Sequence, residues 1–304
     1  MSDPVPTERA RELLRGALDT HVHIDPDVVE RSIDDLSLAK RFLELGLAGF
    51  VMKSHYTSTA ERASVVRAAV PPIQALGSIV LNRAVGGINP LAVEIAAREG
   101  ARIVWLPTVD ALNEAHEREA PPGAKVPVWV SLQRELLERG IEIEPIAVLD
   151  GDRQPTSQIR DVLSVVAQHG MTLATGHLGR EEIFAIVAAA REEKVALTVV
   201  THPEFPSQDL SVSDQLALVA GGGVLLERCF TTPHTGKISW ERWLEAIRAS
   251  GPEHSVLSTD LGQVFNPPVA DGMALMVDRL LDAGFNDQEV QTMAVTNTQR
   301  VAGV

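Results

Sequence analysis

Residues 16–24, GALDTHVHI, form an apolar run that ends in two histidines. Eight further apolar runs follow, at 46–55, 77–85, 101–108, 141–149, 171–177, 195–202, 223–230 and 254–260. Between them lie residues with the 3–4 spacing of an amphipathic helix, as in Leu36, Ala39, Leu43 and Leu47. Strands that alternate with helices form parallel sheets through right-handed crossovers. The pattern therefore predicts an α/β protein.

The number and spacing of these runs favour a (β/α)8 TIM barrel over an open doubly wound sheet. Nine runs for eight strands leave one surplus, and we expect the surplus to be 77–85. No GxGxxG pattern follows the first run, which argues against a dinucleotide-binding fold. Residues 109–129 are polar and contain proline, so we predict a long loop there. No linker or repeat interrupts the pattern, and residues 1–304 are predicted to be a single domain.

The composition excludes several classes of partner. The chain carries 27 Lys+Arg against 41 Asp+Glu, a net charge of −14, which repels nucleic acid and anionic membrane surfaces. Its one cysteine, Cys229, excludes an intramolecular disulfide and suits a reducing compartment. The first twenty residues lack the continuous apolar segment of a secretory signal. These features predict a cytoplasmic protein that acts on a small molecule.

Histidines collect where the predicted strands end. Five of the nine histidines share this position: His21, His23, His55, His177 and His202. Side chains two apart on a strand point to the same side, so His21 and His23 can bind one metal ion. The last run ends in Asp260. Because the carboxyl ends of barrel strands meet at the catalytic face, we expect these side chains to lie together.

Neutral imidazoles with a carboxylate, and without thiolates, suit a divalent ion. We expect zinc, with manganese and iron as alternatives. Such an ion lowers the pKa of water toward neutrality and polarises a substrate oxygen. Asp260 is placed to accept the proton of that water and to pass it to the leaving group. The residues therefore predict a metal-dependent hydrolase.

Four motifs, DTHVHIDPD, TGHLG, VTHPEF and STDLGQ, resemble those on strands one, five, six and eight of the metal-dependent amidohydrolase superfamily. The segment 296–301 is similar to the asparagine-containing closing helix of that family. The resemblance implies a TIM-barrel hydrolase with one or two divalent ions. It implies that His21, His23 and Asp260 bind the deeper ion. His177 and His202 then bind a second ion, or His177 is a ligand and His202 orients water beside a single ion.

Lys53 is a departure from that family pattern. Two-metal members usually carry a carboxylated lysine or a glutamate at the end of strand four. Counting back from TGH places strand four at 141–149, which offers no lysine. Lys53, after strand two, could take up carbon dioxide as a bridging carbamate, or remain an ammonium that pairs with Asp260 or a substrate carboxylate. We favour the carbamate, because Lys53 and His55 are also two apart.

Substrate contacts are predicted for His55, Tyr56, Arg83 and His234. Arg83 could bind a carboxylate or carbonyl, and His234 follows the 223–230 run. Glu227 and Arg228 are expected to support the ligands rather than react.

We expect cleavage of an amide, a cyclic amide or imide, or a related C–N bond. The alternatives are a decarboxylase, lactonase or deaminase on the same barrel, or a barrel that binds a metal or metabolite without catalysis. A phosphoesterase with an initial HxH is disfavoured, because no basic phosphate cradle accompanies the motif. Relatives of this kind often assemble, so a homo-oligomer is also an open expectation.

Overall fold

The computed structural model describes residues 5–118 and 126–304, apart from the side chains of Glu117 and Arg118. Its eight strands are β1 (Leu18–Val22), β2 (Gly49–Met52), β3 (Gln74–Val80), β4 (Ala101–Trp105), β5 (Thr172–Ala174), β6 (Thr198–Val200), β7 (Val224–Cys229) and β8 (Ser255–Ser258). Each strand pairs in parallel with the next in chain order. The predicted (β/α)8 barrel is confirmed.

Helices alternate with these strands and surround them. They are α1 (Glu8–Leu13), α2 (Asp35–Glu44), α3 (Ala60–Ala69), α4 (Pro90–Arg98), α5 (Ala115–Arg118), α6 (Val128–Glu138), α7 (Ser157–Gln168), α8 (Arg180–Glu192), α9 (Val212–Ala220), α10 (Thr231–His234), α11 (Trp240–Ser250), α12 (Val269–Asp282), α13 (Asp287–Gln291) and α14 (Asn297–Ala302). In the described part of the chain, no helix is long and apolar enough to span a bilayer.

The surplus apolar run is 141–149, so our expectation that 77–85 is surplus was wrong. Run 77–85 supplies most of β3, whereas 141–149 makes only single bridges, such as Ala111 with Ile146. Pro145 has no N–H to donate to a ladder, which opposes a strand there. Val148 is buried in the cluster between the barrel and its outer helices, which explains the apolar character of the run. Strand four is therefore β4, not 141–149.

The predicted loop 109–129 is only partly a loop. It contains a 3₁₀ turn at Leu112–Glu114, helix α5 and the start of α6. Residues 119–125 of that prediction lie outside the described residues. The turn packs against the barrel, since Glu114 is buried and Ala111 pairs with Ile146.

The barrel interior is apolar below the carboxyl ends of its strands. Side chains from all eight strands form one buried cluster, with Leu18, Val51, Ile103, Leu225 and Val256 among its members. Val301 and Ala302 of α14 belong to the same cluster, so α14 covers the amino-terminal end of the barrel. The interior is thus closed below and lined by polar side chains above, where the strands end.

Candidate metal centre

A register shift in β1 turns the HxH pair into the barrel. The pairing of β1 with β2 shifts between Asp19 and Val22. Leu18 belongs to the interior cluster, whereas Val22 belongs to the outer cluster, although strict alternation would place both on one side. Such a shift re-aims the side chains that follow it. His21 and His23 therefore face the interior together, as the sequence predicts.

His21 and His23 meet Asp260 at the seam that closes the barrel. Nε2 of His21 and Nε2 of His23 lie 3.1 and 3.2 Å from Oδ1 of Asp260. The main chain closes the same seam, because Asp260 N donates to His21 O and His23 N donates to Leu261 O, both at 2.8 Å. The three donor atoms lie within 4.8 Å of one another, which is close enough for one ion. The structure thus brings together the three residues expected to hold the deeper ion.

Lys53 reaches the same point from the end of β2. Its Nζ lies 2.9 Å from Nε2 of His21 and 4.2 Å from the centroid of the Trp105 ring. Trp105 is the last residue of β4, so an indole stands where the family resemblance implies a lysine or glutamate. Burial lowers the pKa of the Lys53 amine, against the opposing effect of Asp260. Lys53 is therefore part of the cluster.

Glu227 holds the far nitrogen of His21. Its Oε1 lies 3.1 Å from Nδ1 of His21 and accepts a 2.9 Å hydrogen bond from Ser258 Oγ. A carboxylate at Nδ1 favours the tautomer with Nε2 free toward Asp260. The Cys229 thiol lies 3.8 Å from the same Nδ1, and burial raises its pKa well above the usual value. Glu227 therefore supports His21, as expected, and Arg228 points to the opposite side of β7, where it pairs with Glu204.

The remaining three histidines continue the site across the barrel mouth. The rings of His23 and His55 stack at 4.8 Å, those of His55 and His177 lie 6.2 Å apart, and those of His177 and His202 lie 5.1 Å apart. Nδ1 of His202 lies 3.0 Å from Oε1 of Gln208, which can accept a hydrogen bond from Nδ1–H and so favours the tautomer with a free lone pair on Nε2. All five strand-end histidines thus form one continuous row.

Glu114 is a residue of the site that sequence reasoning missed. It is buried, and its Oε1 lies 3.1 Å from Nδ1 of His177 and accepts a 2.8 Å hydrogen bond from Ser207 Oγ. Its neighbour Asn113 donates to the carbonyls of His177 and Ser207, at 3.1 and 2.7 Å. The turn at Leu112–Glu114 therefore joins the loops that carry His177 and His202. Only the length of the segment after β4 signalled a role for this region.

The electrostatics keep most of these imidazoles neutral. Burial lowers the pKa of His23 and His55 well below the usual value, and it lowers that of His202 to about 3. His21 differs, because the carboxylates of Asp260 and Glu227 raise its pKa against burial and Lys53. Neutral imidazoles have the free lone pair that a metal ion needs.

Strained backbone positions lie at two of the site residues. His202 and Asp260 have positive φ angles, +26° and +53°, which cost an L residue about 1–3 kcal/mol each. Two nearby positions require glycine because of close contacts: a Cβ on Gly262, two residues after Asp260, would lie 1.6 Å from His23 O, and one on Gly176, which precedes His177, would lie 2.3 Å from Leu106 O. The chain is thus forced into unfavourable conformations at the point where the site residues meet.

The residues predicted to contact substrate differ in where they lie relative to the site. Tyr56 is half-buried with its ring 6.1 Å from that of His55, which places it beside the site. His234 is exposed on α10 and stacks on Phe230 at 4.7 Å. Arg83 is exposed, and its guanidinium donates to the carbonyls of Glu144 and Pro145 at 2.9 and 3.1 Å. Arg83 thus fastens the 141–149 segment, a use that the sequence did not suggest.

The donor set fits a divalent cation. Two buried imidazoles and one carboxylate oxygen converge at His21, His23 and Asp260, which is a nitrogen and oxygen set of the kind that binds zinc, manganese or iron. Nδ1 of His23 is buried and has no hydrogen-bond partner among residues 5–118 and 126–304. Nε2 of the same ring faces Asp260, so the fit to a cation rests on the convergence of the two Nε2 atoms with Oδ1 of Asp260.

A family model described as a family of unknown function (DUF6282) matches residues 16–227, and the chain belongs to that family. No curated protein sequence matches the chain.

Solved structures share the fold along almost the whole chain. A probable dipeptidase, PvdM, from Pseudomonas aeruginosa aligns with a TM-score of 0.62 at 10% identity, covering 97% of each chain. An amidohydrolase from the same organism gives 0.59 at 12% identity, covering 96% of this chain and 98% of its own. An amidohydrolase from Burkholderia multivorans with bound zinc gives 0.52 at 13% identity, covering 95% and 99%. The amidohydrolase-type fold is confirmed.

Proposed function

We propose that this protein is a metal-dependent hydrolase that cleaves an amide, a cyclic amide or imide, or a related C–N bond of a small molecule. The observation that carries the proposal is the convergence of His21, His23, Lys53 and Asp260 at the mouth of an amidohydrolase-type barrel. When bound there, a divalent ion, for which we propose zinc, supplies Lewis acidity to the substrate carbonyl and lowers the pKa of water.

The residues of the chain hold that centre and move its proton. His21 and His23 offer Nε2, and Glu227 fixes the orientation of His21. Asp260 offers Oδ1, while its Oδ2 accepts a 3.0 Å hydrogen bond from Thr231 Oγ1. That hydroxyl holds the carboxylate in one orientation, from which Asp260 accepts the proton of the attacking water and returns it to the leaving nitrogen.

His177 and His202 form the second half of the site. Oε1 of Glu114 lies 3.1 Å from Nδ1 of His177, and Oε1 of Gln208 lies 3.0 Å from Nδ1 of His202, so we infer that Nε2 of each ring is available for binding. In this arrangement they bind a second ion, or His202 orients the attacking water beside a single ion. If two ions bind, we propose that Lys53 is carboxylated; if a single ion binds, we propose that Lys53 is an ammonium.

Metal content and product analysis test the proposal. Protein purified without chelator is analysed for metal per chain and is then assayed on amides and cyclic amides for a new carboxylate and amine. We expect one or two equivalents of metal, and loss of both metal and activity in the double variant His21→Ala/His23→Ala. His169→Ala is the matched control, because His169 pairs with Glu94 on the outer helices. A chain that takes up neither zinc nor manganese would overturn the proposal.

A further inference from the structure

A buried arginine lies beside the metal centre, in the loop between β1 and α2. The side chain of Arg31 is 6% exposed and that of Asp27, its partner, is 1% exposed. Nε and one terminal nitrogen of Arg31 both contact the same oxygen, Oδ2 of Asp27, at 2.8 and 2.6 Å. In the regions that the structure describes, Asp27 is the sole hydrogen-bonding partner of this guanidinium. One edge of the guanidinium therefore retains its donors for another ligand.

The Arg31–Asp27 pair packs on the segment that carries Lys53 and His55. Oδ1 of Asp27 accepts hydrogen bonds from Val28 N, at 2.7 Å, and from Ser54 Oγ, at 3.4 Å. Ser54 is the residue between Lys53 and His55. The positive charge of Arg31 also acts on the site, because it adds to the effect of burial in lowering the pKa of both His23 and His55.

The main chain of the loop is held by a different arginine. Another arginine, Arg62 of α3, donates to the carbonyls of Ile24, Asp25 and Pro26, at 2.9, 3.2 and 2.7 Å, and also pairs with Asp35. Arg62 thus holds the main chain of the loop from outside. Arg31 has no main-chain carbonyl among its described partners, and the desolvation cost of burying its guanidinium can exceed the gain from pairing with one carboxylate.

We propose that Arg31 binds a carboxylate of the substrate, so that the small amides cleaved here carry a free carboxylate near the scissile bond. This inference rests on the proposed function. The planar guanidinium matches a carboxylate in geometry, and Asp27 keeps it oriented in the absence of substrate. Asp27 already balances one charge, so a monoanion suits the subsite better than a phosphate dianion. Arg83, which we expected to have this role, is exposed, and its Nε and one terminal nitrogen donate to main-chain carbonyls of the 141–149 segment.

A matched pair of ligands tests the subsite. Succinamate and succinamide differ in one carboxylate, and their binding to zinc-loaded protein is measured by calorimetry. We expect the wild type to bind succinamate at least about tenfold more tightly, and Arg31→Met to lose that preference. Arg31→Lys should retain part of this preference, because lysine keeps the positive charge but lacks the paired N–H donors of the guanidinium. Arg62→Lys is the control for the loop and should keep the full preference.

Several outcomes would overturn the inference. They are equal binding of the two compounds to the wild type, an unchanged preference in Arg31→Met, and an equal loss in Arg62→Lys. Zinc content is measured on every variant, and Arg31→Met should keep the wild-type value. If the wild type binds no zinc, the proposed function fails. The succinamate preference of the zinc-free protein and its loss in Arg31→Met then still decide whether Arg31 binds carboxylates.

Discussion

Nζ of Lys53 lies 2.9 Å from Nε2 of His21, the same nitrogen that faces Asp260 at 3.1 Å. An ammonium so close to a nitrogen that we propose binds metal would compete with a cation for the same space. A neutral amine can instead take up carbon dioxide and present carboxylate oxygens there. Burial lowers the pKa of Lys53 and so favours the neutral amine. The chemical state of Lys53 therefore decides how the centre is assembled.

Removal of the Lys53 side chain should distinguish these states. We expect Lys53→Ala to lose about 10–100-fold in activity, the range found when residues that support a metal site are replaced. If Lys53 is carboxylated, added propionate should restore activity, because its carboxylate can replace the carbamate. Recovery with methylamine and not with propionate would show that the residue acts as an ammonium. Metal content before and after rescue provides the second measurement.

Replacement of Asp260 by asparagine should abolish turnover while the protein still binds metal. The amide keeps an oxygen donor but cannot accept the proton of the attacking water. We expect a loss of about 10² to 10⁴-fold in kcat. Asp271→Asn is the control, since Asp271 pairs with Arg11 at the surface of α12. Full activity in Asp260→Asn would show that another group accepts the proton.

Metal removal should destabilise the folded chain as well as inactivate it. A ligand that binds only the folded state adds about 2.7 kcal/mol of stability at 100 times its Kd. We therefore expect Tm to rise when zinc is added to chelator-treated protein. The His21→Ala/His23→Ala protein should show no such rise. An equal rise in both proteins would place the binding of zinc elsewhere.

The ion pair between Arg228 and Glu204 predicts a strong coupling in stability. Both side chains are essentially buried, and Arg228 also donates to Gln215 and Ser250, at 2.9 and 2.8 Å. Arg228→Met or Glu204→Gln alone should cost about 3–5 kcal/mol, because each leaves an uncompensated buried group. The double variant should cost clearly less than the sum. Urea unfolding of the four proteins measures this, and strict additivity would contradict the ion pair.

Asp214 should make stability depend on pH on the acid side. Its hydrogen bond from Arg180, with a further contribution from Ser211, lowers the pKa of its carboxyl to about 2. The ordinary value in an unfolded chain is about 3.9, so the stabilisation is complete above that pH and is lost as the pH falls toward 2.

We therefore expect the difference in Tm between metal-free wild type and Asp214→Asn to be largest at pH 6 and to narrow toward pH 3. Asp209→Asn provides a comparison, because Asp209 and its partner Arg242 are about half or more exposed. A difference in Tm for Asp214→Asn that does not change with pH would contradict this origin.

The positions of the candidate site residues at strand ends could be predicted from the sequence. His21 lies near the end of β1, while His23, His177, His202 and Asp260 follow apolar strands, and a parallel barrel brings the carboxyl ends of its strands together. The same reasoning misplaced strand four, because 141–149 is apolar from packing on the outer helices rather than from pairing in the sheet. Apolar runs alone do not separate these two causes.

Glu114 and Arg31 could not be predicted in this way. Both lie in connections after a strand, and their positions depend on how those connections fold back over the barrel. Glu114 contacts His177 from the connection after β4. Arg31 is buried against Asp27, which in turn contacts Ser54. Neither contact follows a regular spacing in the sequence, so no periodicity indicates them.

The covering of the barrel base by α14 also sets an order of events during synthesis. Thr298 Oγ1 accepts a hydrogen bond from Leu18 N, and Asn297 Nδ2 donates to Ser255 O, at 3.3 and 2.7 Å. The contact between β1 and α14 can therefore form only after a helix some 280 residues later has left the ribosome. Before α14 is synthesised, the apolar residues at the amino-terminal end of the barrel lack this cover and are open to water. A nascent chain that stalls after β8 would therefore be a substrate for chaperones.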